Sequence, residues 1–497
     1  MARALVSLGV RPGDRVCLWA PNSWHWVVSA LASTYIGAAL VPLNSRYTGH
    51  EAVDVVRRTR ARVVVLAHGF LGRDQVAELR AAAGPADELP VGYPLASCPD
   101  TIALVTIGPA RVPQVSGILG FADVARLADD TALDVVEAMA DAVSPDDVAD
   151  ILFTSGTTGR SKGACSSHRQ TLAVADAWAE EGGLTSDDRY FVVNPFFHAF
   201  GYKAGLVSCL LRGTTMVTRP IFRIDDTIAL LRDEGVSVLA AAPPVFQALL
   251  DAPDRPTDGG LRLAVTGATI VPVALVERIQ VELGCRTVLT AYGLTEAVVA
   301  TMCGAADSAE VVARTVGRPV AGFDVRVVDP ASGADAPTGT EGEVLLRGPN
   351  VMLGYLDDAS ATAEAVDPDG WLRTGDVGRL DGRGYLTITD RLKDVVIVGG
   401  FNVYPAEVEQ VLARLDDVVE AAAVGVPDER LGEVTKAYVV RRPSSTLDAV
   451  TVIEHCRERL ANFKVPRSVE FVDQLPRNAS GKVLRRSLRE PGEPVRG

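Results

Sequence analysis

Short apolar runs alternate with longer helical stretches along the first half of the chain. Residues 15–20 and 62–67 are such runs, and residues 24–36 between them have the spacing of a helix. The order strand, helix, strand is typical of a parallel sheet covered by helices. The same rhythm returns around the apolar residues 190–193 and 236–241. The pattern predicts an α/β fold whose large N-terminal part consists of layered α/β subdomains.

The pattern becomes strand-rich in the later part of the chain. Residues 324–328 and 342–347 are short runs separated by Gly and Pro turns, which predicts a smaller β subdomain. Residues 85–147 are rich in Pro, Ala and Asp, and we interpret them as connecting structure.

An α+β stretch follows residue 391. We expect a large domain over residues 1–391 and a small mobile domain over residues 392–497, because about 100 residues suffice for an independent unit. Its expected elements are a strand at 395–398, a helix from Pro405, strands at 421–426 and 436–440, and a helix at 448–460.

Composition narrows the class of protein. The chain has 497 residues, 47% of them hydrophobic and 23% charged, which is too long for one core. Its formal net charge of −14 disfavours a nucleic-acid partner. No apolar run reaches the roughly 18 residues of a membrane span. The seven cysteines form no CxxC pair, which argues against a disulfide framework or zinc site and for a cytoplasmic protein.

Residues 153–163 carry the strongest chemical signal. They read Phe-Thr-Ser-Gly-Thr-Thr-Gly-Arg-Ser-Lys-Gly and follow an apolar run, 148–153, that is broken by Asp150. Glycine lets backbone N–H groups approach an anion, hydroxyls add donors, and lysine adds charge. A strand that leads into such a loop is typical of a phosphate cradle. Ser161 before Lys162 departs from the common P-loop, and a flexible surface loop is the alternative.

Two later segments could hold other parts of a nucleotide. Tyr292 and Glu296 follow an apolar strand at 287–291, where a carboxylate can bind Mg²⁺ beside a phosphate and an aromatic ring can stack on a base. Asp376 follows a tight turn and could accept both ribose hydroxyls. The alternatives are a solvated carboxylate for Glu296 and an Asx turn for Asp376.

Two basic residues complete the set. Arg391 has a planar donor fork that suits phosphate or ribose oxygens, although a surface ion pair would explain it equally well. Lys482 lies on a Gly-containing loop near the C-terminus. Such a lysine is usually only solvated, but a mobile domain could deliver it to a phosphate.

These five motifs, in this order, resemble the adenylate-forming superfamily of acyl-CoA synthetases, luciferases and peptide-synthetase adenylation domains. The resemblance extends from residue 9 to Lys482. It implies that a carboxylic acid and ATP form an acyl adenylate and pyrophosphate, and that a thiol then takes the acyl group. Family members usually carry several dozen further residues in front, so we expect this chain to lack the family's first segment and to be less stable than an extended form.

The resemblance implies a role for each motif residue. Lys482 would bridge the acid and the α-phosphate, Lys393 would be the hinge, and His198 would gate the acyl side. The ATP phosphates would be held by Thr154, Ser155, Gly156, Thr157, Thr158, Gly159 and Lys162. The other expected contacts are adenine at Gly267, Ala268, Thr269 and Tyr292, the α-phosphate at Thr295, Mg²⁺ at Glu296 and Thr154, the ribose at Asp376, a second nucleotide contact at Arg391, pantetheine at Gly400, and further cofactor contacts at Gly293 and Gly399.

The expected substrates are ATP with Mg²⁺, a hydrophobic carboxylic acid and coenzyme A. The segment 196–207 and its neighbours contain Gly and Ala and no obvious buried cation, which favours an apolar acid. Residues 197–205 resemble those of actinobacterial CoA ligases that act on a steroid-ring propanoate, with a medium-chain fatty acid as the nearest alternative. The phosphates of CoA would need basic residues, for which Arg441, Arg442 and Lys464 are candidates, with solvated surface charge as the equal alternative.

Three questions of function and assembly stay open at this point. An acyl-AMP ligase that loads a carrier protein is one alternative to a CoA ligase. A degenerate nucleotide-binding relative is another, although it should have lost Lys482, Glu296 or Asp376, which are all present. A homodimer is an open alternative to a monomer.

Overall fold

The computed structural model describes residues 1–84, 94–108, 116–154, 161–257, 259–267, 271–392, 394–398, 401–428, 431–460, 462–477 and 483–489. The chain forms two compact units. One comprises Met1–Asp324 and Leu346–Leu372, and the other Val325–Leu345 and Arg373–Gly497. A boundary at 391/392 stays a prediction, and Lys393 lies outside the described residues. None of the described helices is long and apolar enough to cross a membrane.

The described residues form twenty-four strands, labelled in chain order. They are β1 (Arg15–Trp19), β2 (Ala39–Pro42), β3 (Val63–Ala67), β4 (Ala103–Ile107), β5 (Ile118–Gly120), β6 (Val148–Phe153), β7 (Gly163–Ser167), β8 (Arg189–Phe191), β9 (Thr215–Val217), β10 (Val238–Ala240), β11 (Leu263–Gly267), β12 (Thr287–Leu294), β13 (Ala297–Met302), β14 (Arg318–Pro319), β15 (Asp324–Val328), β16 (Gly342–Arg347), β17 (Gly354–Tyr355), β18 (Leu372–Leu380), β19 (Leu386–Arg391), β20 (Val396–Val398), β21 (Phe401–Val403), β22 (Val418–Asp428), β23 (Gly432–Arg441) and β24 (Ser468–Phe471).

In the part of the chain that the structure describes, sixteen α-helices connect and cover these strands, together with a π-helix at Phe200–Val207 and short 3-10 turns. They are α1 (Ala2–Ser7), α2 (Trp24–Tyr35), α3 (Gly49–Thr59), α4 (Gln75–Ala83), α5 (Phe121–Leu127), α6 (Leu133–Asp141), α7 (His168–Glu181), α8 (Ser208–Arg212), α9 (Ile224–Asp233), α10 (Pro243–Asp251), α11 (Val273–Glu282), α12 (Ala309–Arg314), α13 (Ala359–Ala365), α14 (Pro405–Leu412), α15 (Ala449–Arg457) and α16 (Arg485–Arg489).

The first sheet has eight strands in the order β17-β7-β6-β2-β1-β3-β4-β5. The strands from β6 to β5 run parallel, whereas β7 and β17 are antiparallel to their neighbours. Every residue of β3 is buried, as expected for a parallel strand covered on both faces. The predicted strands and helix are present as β1, α2 and β3, but β2 and α3 lie between α2 and β3 and were not predicted.

The interpretation of residues 85–147 as connecting structure is wrong for the described part of that range. Its apolar run forms β4, whose five residues are all buried and pair in parallel with β3. Strand β5 extends the same sheet, and α5 and α6 follow. The run was missed because it is short and its flanks are rich in Pro and Asp. A short, fully apolar run is nevertheless typical of a parallel strand in a core.

The second sheet has seven strands in the order β14-β13-β12-β11-β10-β8-β9. Strands β12, β11, β10, β8 and β9 are parallel. The carboxyl ends of parallel strands meet at one edge of a sheet, where ligands of α/β proteins usually bind. The segments that follow β8 and β10 therefore share one edge with Gly267 of β11 and Tyr292 of β12, which are predicted adenine positions.

The second unit contains two sheets of its own. One has the order β15-β16-β18-β19, and the other is β21-β20-β23-β22 with β24 alongside β23. Strands β15 and β16 confirm the predicted runs at 324–328 and 342–347. Helices α14 and α15 pack on the five-stranded sheet around Val408, Val439 and Val452, which confirms the predicted α+β character of this part.

Candidate functional site

The predicted phosphate loop is the connection of a β-hairpin. Strands β6 and β7 pair antiparallel, with Phe153 opposite Gly163. The backbone N–H of Thr154 donates to the carbonyl of Lys162 at 2.9 Å, so these two residues close the base of the loop. The predicted phosphate ligands Ser155, Gly156, Thr157, Thr158 and Gly159 lie outside the described residues.

Arg58 holds the backbone at Ser161, the residue before Lys162. Its guanidinium donates to the carbonyl of Ser161 at 2.7 Å and lies 4.9 Å from the ring centroid of Phe153. Asp54 pairs with the same guanidinium at 3.4 Å. A cation held by Phe153 and Asp54 therefore restrains the backbone at Ser161.

Tyr355 joins two of the predicted ligands and was not predicted itself. Its hydroxyl donates to Oε1 of Glu296 at 2.7 Å, and the ammonium of Lys162 lies 4.9 Å from the centroid of its ring. Strand β17 places it there, because Tyr355 pairs with Ala164 next to the phosphate hairpin. Burial and the Glu296 carboxylate raise the pKa of the Tyr355 hydroxyl well above its ordinary value. The hydroxyl is therefore a donor at neutral pH.

Glu296 lies in the tight turn between β12 and β13. Gly293 makes this hairpin possible, since a Cβ there would lie 2.5 Å from the backbone nitrogen of Val299. Thr295 and Glu296 form the turn itself, and the carbonyl of Glu296 accepts from the N–H of Met352 at 2.8 Å. The half-buried carboxylate is thus held at both its backbone and its side chain.

The predicted adenine residues come from adjacent strand ends. Gly267 ends β11 and pairs with Ala291 of β12, so Tyr292 is one position beyond it at the carboxyl edge of the sheet. The structure therefore brings Gly267 and Tyr292 to neighbouring strand ends, and their contact with adenine stays a prediction. Ala268 and Thr269 lie outside the described residues.

Asn22 anchors the segment that precedes His198, and sequence reasoning missed it. Its side chain is 5% exposed. Its Nδ2 donates to the carbonyl of Asn194 at 2.9 Å, and its Oδ1 accepts from the N–H of Phe196 at 2.7 Å. A buried amide with these bonds fixes a stretch of irregular backbone at the edge of the second sheet.

His198 lies on that segment as a solvent-accessible residue that is closely surrounded by protein. Nδ1 accepts from the N–H of Phe200 at 3.2 Å, which places the proton of the neutral ring on Nε2. Desolvation by the surrounding protein lowers the pKa of His198 from 6.5. The ring is therefore a neutral group at pH 7, in keeping with the predicted gating role, which stays a prediction.

The π-helix that follows His198 packs closely on the preceding turn. A Cβ at Gly201 would collide with the carbonyl oxygen of Pro195, so only glycine permits this approach. The ring of Phe200 meets Trp178 edge to face at 4.8 Å. π-Helices are rare and often occur at functional sites.

The π-helix contains a buried cation, which corrects the expectation that this segment has none. Nζ of Lys203 is 3.0 Å from Oδ1 of Asp150, and the two side chains are 2% and 0% exposed. Thr171 donates to the other oxygen of Asp150 at 2.6 Å. Because the internal carboxylate balances the ammonium, the pair does not by itself require an anionic group on the substrate.

In the second unit, the predicted ribose residue Asp376 and the predicted second nucleotide contact Arg391 lie opposite each other. Asp376 of β18 pairs with Arg391 of β19, and Asp376 is 4% exposed. The N–H of Asp376 donates to Oγ1 of Thr374 at 3.0 Å, and that hydroxyl donates to the carbonyl of Val344 at 2.7 Å. Thr374 thus ties the Asp376 turn to β16.

A cluster of charged side chains lies close in sequence to the predicted positions Lys393 and Lys482. Arg485 bonds both oxygens of Glu409 at 2.7 and 2.8 Å and lies 3.8 and 3.6 Å from Asp390 and Asp394. Burial opposes the charge of Arg485, but these carboxylates raise its pKa. Lys393, Gly399, Gly400 and Lys482 lie outside the described residues, so their roles stay predictions.

The basic residues suggested for the CoA phosphates are engaged within the unit. Lys464 bonds both carboxylate oxygens of Glu407 at 2.7 and 2.6 Å. Arg441 and Arg442 donate to backbone carbonyls. These contacts favour the surface-charge alternative for all three.

The sequence of this chain matches two family models and several known proteins. The family model described as AMP-binding enzyme matches residues 1–356, and the model described as AMP-binding enzyme C-terminal domain matches residues 407–482. A Rhodococcus jostii (strain RHA1) protein is 54% identical over 493 residues, 98% of this chain and 91% of that protein. It is named as a 7a-methyl-1,5-dioxo-octahydro-1H-inden-4-yl-propanoyl:CoA ligase.

Two further relatives extend the comparison. A Mycobacterium tuberculosis (strain ATCC 25618 / H37Rv) protein of the same name is 53% identical over 494 residues, 99% of this chain and 91% of that protein. The crystal structure of ATP-bound MatB from Rhodopseudomonas palustris is 31% identical, with a TM-score of 0.84 over 98% of this chain and 92% of that chain.

Proposed function

This chain belongs to the AMP-binding enzymes, as an acid–thiol ligase, and we propose that it activates a hydrophobic carboxylic acid in two steps. The acid attacks the α-phosphorus of ATP to form an acyl adenylate and pyrophosphate. The thiol of coenzyme A then displaces AMP to form the acyl-CoA thioester. The observation that carries the proposal is the convergence of Glu296 and Lys162 on Tyr355, beside the hairpin that holds the phosphate loop.

The chemistry of the first step explains why such groups are needed. Acid and ATP are both anions, so catalysis depends on positioning and on neutralising charge. Lys162 would meet the leaving pyrophosphate, and Lys482 would meet the acid and the α-phosphate. A general base is not required because a carboxylic acid is already ionised at pH 7. The neutral ring of His198 fits a wall between the two substrates.

The residues present fit a Mg²⁺ ion that arrives with ATP. No group of three or more His, Cys, Asp or Glu side chains in the described ranges is arranged to hold a metal alone. Mg²⁺ is usually bound by one or two carboxylates together with substrate phosphates. Glu296 and Thr154 would hold it, and when bound it would neutralise phosphate charge.

The proposed acid is the propanoate side chain of a steroid-derived bicyclic ketone. The two relatives above 50% identity carry the name of a propanoyl:CoA ligase for a dioxo-octahydroindene. The Gly and Ala content of residues 196–207, together with the balancing of the Lys203 charge by Asp150, suits an apolar acid. A medium-chain fatty acid is the competing substrate.

Pyrophosphate release across a panel of acids tests this proposal. The panel contains the bicyclic propanoate, octanoate, malonate and amino acids, each with and without coenzyme A. We expect the highest kcat/KM with the bicyclic acid and sustained turnover only with coenzyme A. Preference for malonate or an amino acid would overturn the substrate, and turnover with a carrier protein instead of coenzyme A would overturn the acceptor.

A further inference from the structure

The ion pair between Lys203 and Asp150 connects two segments that are proposed to bind different substrates, the acid and ATP. Asp150 belongs to β6, which reaches the base of the phosphate loop at Thr154. Lys203 belongs to the π-helix that follows His198, on the side proposed to bind the acid. With 3.0 Å between charged atoms and side chains 2% and 0% exposed, the pair lies entirely within the protein.

Stability alone is a poor explanation for such a pair. Removing two charges from water costs several kcal/mol for each ion, and an apolar pair of similar volume is often as stable or more so. The carboxylate is also held in one orientation, because Thr171 of α7 donates to its second oxygen at 2.6 Å. The carboxylate therefore offers Lys203 a fixed point on β6, and the ammonium ties the π-helix to it.

We propose that Lys203 and Asp150 form a positioning pair. The pair fixes the π-helix after His198 relative to the β6–β7 hairpin, so that the acid meets the α-phosphorus of ATP at reacting distance. The inference rests on the proposed function, in which these segments bind the acid and ATP. Neither residue touches the reacting atoms. A displacement of about 1 Å between reactants can cost roughly 10²-fold in rate, so a small shift of the π-helix would be visible in turnover.

The decisive variant replaces both charges together. Each single change, Lys203→Met or Asp150→Asn, leaves a buried group without its partner and endangers folding. The double variant Lys203→Met/Asp150→Asn removes both charges, and we expect a melting temperature close to that of the parent protein. Its adenylation rate with the preferred acid should fall roughly tenfold or more. Thioester formation from a pre-made acyl adenylate, in which the two substrates are already joined, should change little.

A matched control uses a second internal ion pair at the opposite edge of the second sheet. Asp188 and Arg262 precede β8 and β11, and their side chains are 2.6 Å apart. The variant Arg262→Met/Asp188→Asn should lose stability without changing the ratio of the two half-reactions. Equal losses in both half-reactions, or adenylation at the parent rate in a folded Lys203→Met/Asp150→Asn protein, would overturn the inference.

Amide hydrogen exchange supplies a readout that needs no acid. ATP binding to the parent should increase the protection of residues 200–207 through the pair, and the Lys203→Met/Asp150→Asn variant should lose that increase. An unchanged increase in the variant would refute the coupling. Failure of the proposed function is a separate result, because it would show as an absence of acid-dependent pyrophosphate release by the parent protein itself.

Discussion

Replacing Tyr355 by Phe removes one hydroxyl from the centre of the proposed site. The hydroxyl donates to Oε1 of Glu296 at 2.7 Å, whereas the ring that faces the Lys162 ammonium at 4.9 Å is retained. A hydrogen bond to a charged group contributes about 1.5–3 kcal/mol, and partial exposure of Glu296 favours the lower end. Because about 1.4 kcal/mol is tenfold, we expect kcat/KM for ATP to fall roughly tenfold.

The assay is the initial rate of pyrophosphate release as ATP is varied at saturating acid. The KM for the acid should be unchanged, because Tyr355 contacts residues assigned to the phosphates and the metal. Tyr35→Phe is the matched control, since that side chain lies on the surface at 49% exposure. A Tyr355→Phe enzyme with parent kinetics for ATP, or with a change confined to the acid, would refute the reasoning.

Three further predictions concern other parts of the chain. Asn22→Leu leaves the backbone around Asn194 unsatisfied and should lower the free energy of unfolding by about 2–4 kcal/mol, measured by urea denaturation; an unchanged midpoint would contradict the anchoring role. Lys482→Ala should abolish adenylation yet spare thioester formation from a pre-made acyl adenylate, and equal loss of both would count against its assigned role. Burial opposes ionisation of Asp188, but Arg262 and Ser237 hold its pKa at about 2, so the stabilisation is present above pH 3.8 and is lost as the pH falls toward 2. Denaturation from pH 5 to 2 should show a steeper loss of stability in the parent than in the Asp188→Asn protein, because other carboxylates with a lowered pKa remain in both; equal slopes would contradict the assignment.

Local patterns predicted the parts of the molecule that local chemistry determines. Alternation and turn residues located β15 and β16, and the Gly, Ser, Thr and Lys content of residues 153–163 located the hairpin loop. The buried strand β4 was missed because a run of five apolar residues is short and lies beside Pro- and Asp-rich sequence. Single-sequence periodicity cannot separate such a run from other buried segments.

The site residues that sequence patterns did not predict were missed for a different reason. Tyr355, Asn22 and the Lys203–Asp150 pair act through partners far away in sequence, with 59 positions between Tyr355 and Glu296 and 174 between Asn22 and Phe196. Nothing in their own neighbourhoods indicates those partners. Lys203 was especially hidden, since a lysine beside Gly and Ala usually predicts a solvated charge.

Transfer of oxygen from the acid to AMP tests the central claim most directly. The proposed acid, labelled with ¹⁸O in its carboxylate, is incubated with the enzyme, ATP, Mg²⁺ and coenzyme A, and the products are separated for mass spectrometry. Attack of the carboxylate on the α-phosphorus predicts one labelled oxygen in AMP and none in pyrophosphate. Formation of ADP with labelled inorganic phosphate would contradict the account, because it would show that the acid attacks the γ-phosphorus instead.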